Sequence, residues 1–125
     1  MTVEDIMKSF NETVQVINET KEKYMEELNG MISKVNDLNA KIANAEAAVK
    51  KKLESEKQKL EKKIESYKQK IEDYVNKQME MANERVNAQK EKLTEEIAKQ
   101  ELEKKEQDIN NKAEMLKQKL KKMIP

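Results

Sequence analysis

The residue types that carry most enzyme chemistry are missing from this sequence. It contains no histidine and no cysteine, so imidazole bases, Ser–His and Cys–His nucleophiles, thiolate metal sites and disulfides are excluded. The single glycine, Gly30, excludes the glycine-rich loops that hold nucleotide phosphates. We therefore expect that the protein is not an enzyme, with no catalytic residues, cofactor, metal site or small-molecule substrate.

Carboxylates are the remaining groups that could perform acid–base chemistry, and the chain has 25 of them. A carboxylate pair can hydrolyse glycosides when a concave pocket raises the pKa of one member. Here the acids precede lysines at i,i+4 spacing, as in Glu46–Lys50, Asp73–Lys77 and Glu101–Lys105. This is the favourable order for ion pairs on an exposed helix face. We interpret the acidic residues as surface charges.

Lysine clusters could bind anions, and the C-terminal segment 112–125 has five lysines against one glutamate. Its lysines surround an apolar row, a pattern typical of a basic amphipathic helix on anionic lipid. The simpler interpretation is the end of a structural helix, where lysine complements the helix dipole. The candidate contacts to an anionic surface are Lys117, Lys119, Lys121 and Lys122.

Nucleic acid is not an expected partner on the basis of sequence. Arg85 is the only arginine, and no aromatic residue lies among the lysines of 50–52 or of the C-terminal segment. Bidentate base recognition and base stacking therefore lack their usual residues. Non-specific phosphate contact by the C-terminal segment stays open.

A repeating apolar row predicts the elements that carry these charges. From Val3 to Val49 apolar residues recur at alternating steps of four and three, the a/d pattern of a helix–helix seam. Lys21 interrupts the row; such a lysine either sets the register or packs its stem and extends its ammonium to solvent. The predicted helix–helix interface consists of Val3, Met7, Phe10, Val14, Ile17, Leu28, Met31, Val35, Leu38, Ile42, Val49, Leu53, Leu60, Ile64, Ile71, Met79, Val86 and Leu93.

The seam and the composition together predict an all-α fold without β-structure. We expect long helices in coiled-coil or antiparallel helical-bundle packing, elongated, with residues 1–125 as one unit. Apolar residues make up 36% and charged residues 41% of the chain, too little apolar material for a thick globular core. The net charge of +1 and the helical period argue against disorder.

The sequence offers few places where the helix could break. Asn29-Gly30 is the strongest turn dipeptide, but the seam stays in phase across it, so a hinge and an unbroken helix are both open. Residues 98–108 contain little apolar material and suggest a solvated helix or a weak joint. The apolar stripe is widest in residues 1–42, where Ile6, Met25 and Ile32 flank the seam, and we expect a third helix or a partner there. Without a break, the chain would be a rod of about 185 Å that needs another chain to cover its seam.

Charge blocks favour antiparallel contacts. Residues 1–37 have four lysines against eight acids, whereas residues 41–70 have ten lysines against five glutamates. An antiparallel arrangement places these blocks side by side, although exposed pairs contribute only a few tenths of a kcal/mol each.

We expect a non-enzymatic structural, scaffolding or adaptor protein that acts through helix–helix self-association. A homo-oligomer or another helical protein is the expected partner. The alternative is binding to an anionic surface, membrane lipid or nucleic acid phosphate, through the basic C-terminal helix.

The start of the chain lacks the pattern of a signal peptide, and we expect a cytoplasmic location. The heptads and the Lys/Glu richness resemble helical assembly factors such as peripheral-stalk subunits of rotary ATPases, phage scaffolding proteins and coiled-coil chaperones, without a motif that selects among them.

Overall fold

The protein folds into three helices that pack as a bundle. The computed structural model describes residues 2–93 and 95–123. Helix α1 covers Val3–Ala43, α2 covers Ala47–Lys90 and α3 covers Glu96–Lys122. No strand occurs in the part of the chain that the structure describes. The predicted all-α class and helical-bundle packing are confirmed.

Helices α1 and α2 form an antiparallel hairpin, and α3 folds back along α2. Residues near the start of α1 share an apolar cluster with residues near the end of α2, while Leu28 shares a second cluster with Ile64 and Ile71. In the α2–α3 pair, Lys90 contacts Glu103 with Nζ and Oε1 3.1 Å apart. Leu120, near the end of α3, joins the cluster of Ile71.

Helix α1 begins at a capping box. The side-chain oxygen of Thr2 accepts the backbone N–H of Asp5 at 3.2 Å, and the carboxylate of Asp5 accepts the backbone N–H of Thr2 at 3.1 Å. Two of the N–H groups that the first helical turn leaves unpaired are thereby satisfied. The bond from the Thr2 backbone lowers the pKa of the Asp5 carboxyl, and the bond with the Thr2 side chain adds to this effect.

The hinge considered at Asn29-Gly30 is not formed, because α1 continues through both residues. Leu28 and Val35 are fully buried on either side of the dipeptide, so a turn there would expose the core. Gly30 itself lies in open space, where an added Cβ would meet no atom within 4 Å. Its turn propensity is overridden by packing on the opposite face of the helix.

The chain reverses instead at residues 44–46 and again after α2 ends at Lys90, and no glycine or proline lies between the helices at either place. At the first reversal the side-chain amide of Asn44 donates to the carbonyl of Ala40 at 3.4 Å, and its backbone N–H donates to the carbonyl of Lys41 at 3.2 Å. At the second, the backbone N–H of Leu93 donates to the carbonyl of Lys90 at 3.0 Å. These local hydrogen bonds satisfy backbone groups that the helix ends would otherwise leave unpaired.

Two apolar clusters hold the three helices together. The first lies where the start of α1, the end of α2 and the start of α3 meet, and consists of Ile6, Met7, Phe10, Ile17, Val75, Met79, Ala82, Val86, Leu93 and Leu102. The second consists of Leu28, Val35, Ile64, Ile71 and Leu120. The third helix thus packs against the N-terminal part of α1, where the stripe of apolar residues is widest.

Residues 98–108, where the sequence suggested a weak joint, lie inside α3. Leu102 is fully buried and anchors this segment in the first cluster. Asn110 also lies in α3 and exchanges two amide hydrogen bonds with Asn83 of α2, at 2.9 and 3.2 Å. A paired asparagine of this kind fixes the register of one helix on another.

Glu106, also on α3, is the one buried carboxylate among the described residues, with 9% of its surface exposed. Burial raises the pKa of the Glu106 carboxyl, Lys90 opposes the rise and Glu103 adds to it. The folded state therefore holds the Glu106 proton more tightly than the unfolded state does. The contribution of Glu106 to the free energy of unfolding is fully present below the ordinary pKa of a glutamate. It is lost as the pH rises through the raised pKa of the folded state.

We expect the substitution Glu106→Gln to raise the free energy of unfolding at pH 7 by roughly 1 kcal/mol, because an amide costs less to bury than a carboxylate. Urea unfolding at pH 4 and pH 7, followed by circular dichroism, measures this difference. The difference in the free energy of unfolding between the variant and the wild type should be smaller at pH 4, where the wild-type carboxyl binds its proton. A variant that is less stable than the wild type at pH 7 contradicts the assignment.

Candidate helix-docking surface

The third helix covers only part of the α1–α2 hairpin. At 1.5 Å per residue, α3 is about 40 Å long and α2 about 66 Å. The last turn of α3 lies beside residues 65–72 of α2, where Leu120 and Lys121 line a cleft with Glu65 and Glu72. Residues 29–63 form the remainder of the hairpin, and we call this two-helix part the arm.

The arm is much less buried than the rest of the hairpin. Val35 is its one buried residue, and every residue from 36 to 63 is half-buried or exposed. The predicted interface residues in this stretch are Leu38, Ile42, Leu53 and Leu60, which are half-buried, and Val49, which is 51% exposed. The arm therefore presents a partly open apolar seam.

The other predicted interface residues are covered within the single chain. Fully or nearly fully buried are Met7, Phe10, Ile17, Leu28, Val35, Ile64, Ile71, Met79, Val86 and Leu93. The two apolar clusters are flanked by the half-buried residues Val3, Val14 and Met31. These seam positions pack α1 against α2 and α3, so the same residues that could join separate chains here join helices of one chain.

All three tyrosines of the chain meet where the arm joins the three-helix part. The ring of Tyr24 packs edge-on against Tyr67, with centroids 6.2 Å apart, and against Tyr74 at 5.6 Å. The hydroxyl of Tyr67 donates to the carboxylate of Glu27. Edge-to-face aromatic pairs contribute about 0.5–1.5 kcal/mol beyond their buried area. The cluster fixes α1 on α2 at the base of the arm.

Burial raises the pKa of Tyr67 from 10.0 to about 12, and the hydrogen bond to Glu27 adds to this rise. Below pH 10 the contribution of Tyr67 to stability is fully present, and it is lost as the pH rises through 12. We expect an alkaline absorbance titration to contain a component near pH 12 that the Tyr67→Phe variant lacks. A wild-type titration in which all three tyrosines ionise near pH 10 contradicts the raised pKa of Tyr67.

The C-terminal lysines lie on α3, whose apolar face is already occupied. Leu116 and Leu120 pack into the two clusters, with Ala113 against the first. Lys117 contacts Glu114 at 2.7 Å, whereas Lys119, Lys121 and Lys122 are exposed. The apolar row is therefore not free to enter a lipid surface while α3 is docked. Ile124, the last apolar residue of this row, lies outside the described residues.

Lys21, the interruption of the seam, borders a cavity of about 340 Å³ between the three helices. Apolar side chains such as Val14 and Met79 line the cavity wall, together with Asn18 and Lys112. Lys21 is half-buried, which fits a packed stem with a charge that reaches solvent.

The described residues 2–93 and 95–123 contain no group of three or more acidic side chains that could hold a metal ion. Within the same residues, no helix combines the length and the apolar character needed to cross a membrane. Comparisons with protein-family models, with curated proteins and with solved structures found no match.

Proposed function

We propose that the protein is a non-enzymatic structural or adaptor protein that binds other helices through the arm, with a second copy of the same chain as the expected partner. The observation that carries this proposal is the half-open seam of the arm. Leu38, Ile42, Leu53 and Leu60 follow helical spacing and remain only half-buried when the chain is folded. A further helix laid along the arm would complete their burial.

Apolar burial sets the strength of this contact. The remaining exposed area of a half-buried Leu or Ile contributes about 1 kcal/mol when covered, at roughly 25 cal/mol per Å². Two arms together offer a gain of about 8–10 kcal/mol, against an association cost of about 4–15 kcal/mol. We therefore expect weak, concentration-dependent association, in which exchange of partners is fast.

The substitution Val49→Asp tests the proposal at the most exposed seam position of the arm. Val49 is 51% exposed in the single chain, so the fold should tolerate the charge, whereas a charge buried against a second helix is costly. We expect the dissociation constant of the self-association to rise at least about tenfold, or 1.4 kcal/mol. Sedimentation velocity over a range of protein concentrations measures this constant.

Val16→Asp is the matched control, because Val16 is 60% exposed and lies on α1 outside the arm. It introduces the same residue at a similar exposure, and we expect it to leave the dissociation constant unchanged. If Val49→Asp and Val16→Asp raise the dissociation constant equally, the arm is not the surface of self-association. Circular dichroism of both variants verifies that the helices are intact.

A further inference from the structure

One side of α2 in and next to the arm carries a row of exposed lysines. At 100° per residue, each of them lies about 120° or more around the helix from the buried Ile64. All are exposed to solvent. We call this row the lysine stripe, and it consists of Lys51, Lys52, Lys59, Lys62 and Lys70.

The acids of the same part of α2 lie on its other sides. Glu54, Glu56, Glu61 and Glu65 are all within about 100° of Ile64. Glu61 pairs with Lys57 at 3.7 Å, and Glu65 pairs with Lys68 at 3.2 Å. Neither of these lysines belongs to the stripe. Among the described residues, no ion pair involves a lysine of the stripe.

The residues that alternate with the stripe lysines are uncharged and mostly polar. Ser55, Gln58 and Ser66 are all exposed, and Ser and Gln side chains donate hydrogen bonds to phosphate oxygens. No aromatic or large aliphatic residue lies among them. At its α3 end the stripe borders a cleft that Lys121 lines together with Gln69, Glu65 and Glu72.

We propose that the lysine stripe binds the phosphate backbone of double-stranded nucleic acid without sequence preference. The stripe is about 28 Å long from Lys51 to Lys70, and duplex DNA carries one negative charge per about 1.7 Å of its axis. Lysine is a flexible point charge that suits phosphate and not a specific base edge. The lack of a neighbouring apolar row distinguishes the stripe from a helix that inserts into lipid.

This inference goes beyond the proposed function and is independent of it. The stripe lies on the side of α2 away from Ile64, whereas the seam of the arm lies on the side of Leu53 and Leu60. A chain could therefore hold a partner helix and a polyanion at the same time. The sequence alone suggested the C-terminal lysines for anion binding; the fold places a longer unpaired row on α2.

Fluorescence anisotropy with two labelled 20-base-pair duplexes of unrelated sequence tests the proposal on the full chain. We expect equal affinity for both duplexes and a fall in affinity between 50 and 200 mM salt. The log–log slope should be about −4.5, the value for five phosphate contacts at −0.9 each. The triple substitution Lys51→Glu, Lys59→Glu and Lys62→Glu should weaken binding at least about tenfold at low salt.

The control carries the same change in net charge at exposed lysines outside the stripe. The triple substitution Lys8→Glu, Lys23→Glu and Lys104→Glu, at exposed positions of α1 and α3, should weaken binding much less than the stripe variant does. Equal losses in the two variants would overturn the assignment to the stripe, as would absence of binding by the wild type at 50 mM salt. Binding to vesicles with anionic lipid but not to duplex would also overturn the proposal and identify lipid headgroups as the ligand.

Discussion

Replacing Ile71 by alanine is expected to lower the free energy of unfolding by about 2–5 kcal/mol. Ile71 is 1% exposed and lies in the cluster that joins Leu28 of α1 and Leu120 of α3. Truncation leaves a cavity where all three helices meet, and each helix loses apolar contacts. Native proteins are stabilised by only about 5–15 kcal/mol, so the loss is a large fraction of the total. Urea unfolding followed at 222 nm measures it.

Ile97→Ala is the control for this prediction. Ile97 is 80% exposed on α3, and alanine is the better helix former, so we expect a change within about 0.5 kcal/mol. The two variants remove the same atoms from a helix and differ in burial. Similar losses of stability in both would contradict the packing of α1, α2 and α3 around Ile71.

The substitution Leu102→Asp is expected to release α3 from the hairpin. Leu102 is fully buried and is the one buried residue of α3 in the first cluster. A carboxylate at this position must either leave the core or bind a proton, because an unpaired buried charge is too costly. We expect a loss of about 4 kcal/mol and greatly increased amide hydrogen exchange in 96–122.

Met115→Asp provides the matched charge on the same helix. Met115 is 70% exposed, so its replacement should leave hydrogen exchange in α3 close to that of the wild type. Retained protection of 96–122 in the Leu102→Asp variant would show that α3 does not depend on this anchor. Exchange in the tyrosine cluster should rise less than in α3, since α1 and α2 pack there through Tyr24, Tyr67 and Tyr74.

The helical class and much of the core could be predicted from residue spacing. Rows such as Leu28–Val35 and Ile64–Ile71 are buried as the seam predicts, because the side-chain direction in a helix follows from its period. The first reversal, which precedes the start of α2 at Ala47, leaves no trace in this spacing, which stays regular to Val49. The sequence alone did not reveal this reversal, because no glycine or proline marks it.

The packing of α3 against the hairpin is harder to predict from residue spacing than the pairing of α1 with α2. Residues 98–108 contain one strongly apolar residue, Leu102, and periodicity cannot show that a single anchor is fully buried. The pairing of Asn83 with Asn110 joins positions 27 residues apart and has no local pattern. Both features depend on tertiary packing, which overrides the weak helical stripe of this segment. The partner of the arm is likewise absent from the residue pattern.

The most direct test of the proposed role is the mass of the wild-type protein in solution. Light scattering in line with size exclusion, combined with small-angle X-ray scattering on the same peak, gives the mass and the maximum dimension. We predict a mass that rises with concentration from the 14.7 kDa of one chain to at least that of two, with arms in contact. A constant mass of 14.7 kDa at every concentration would contradict self-association through the arm.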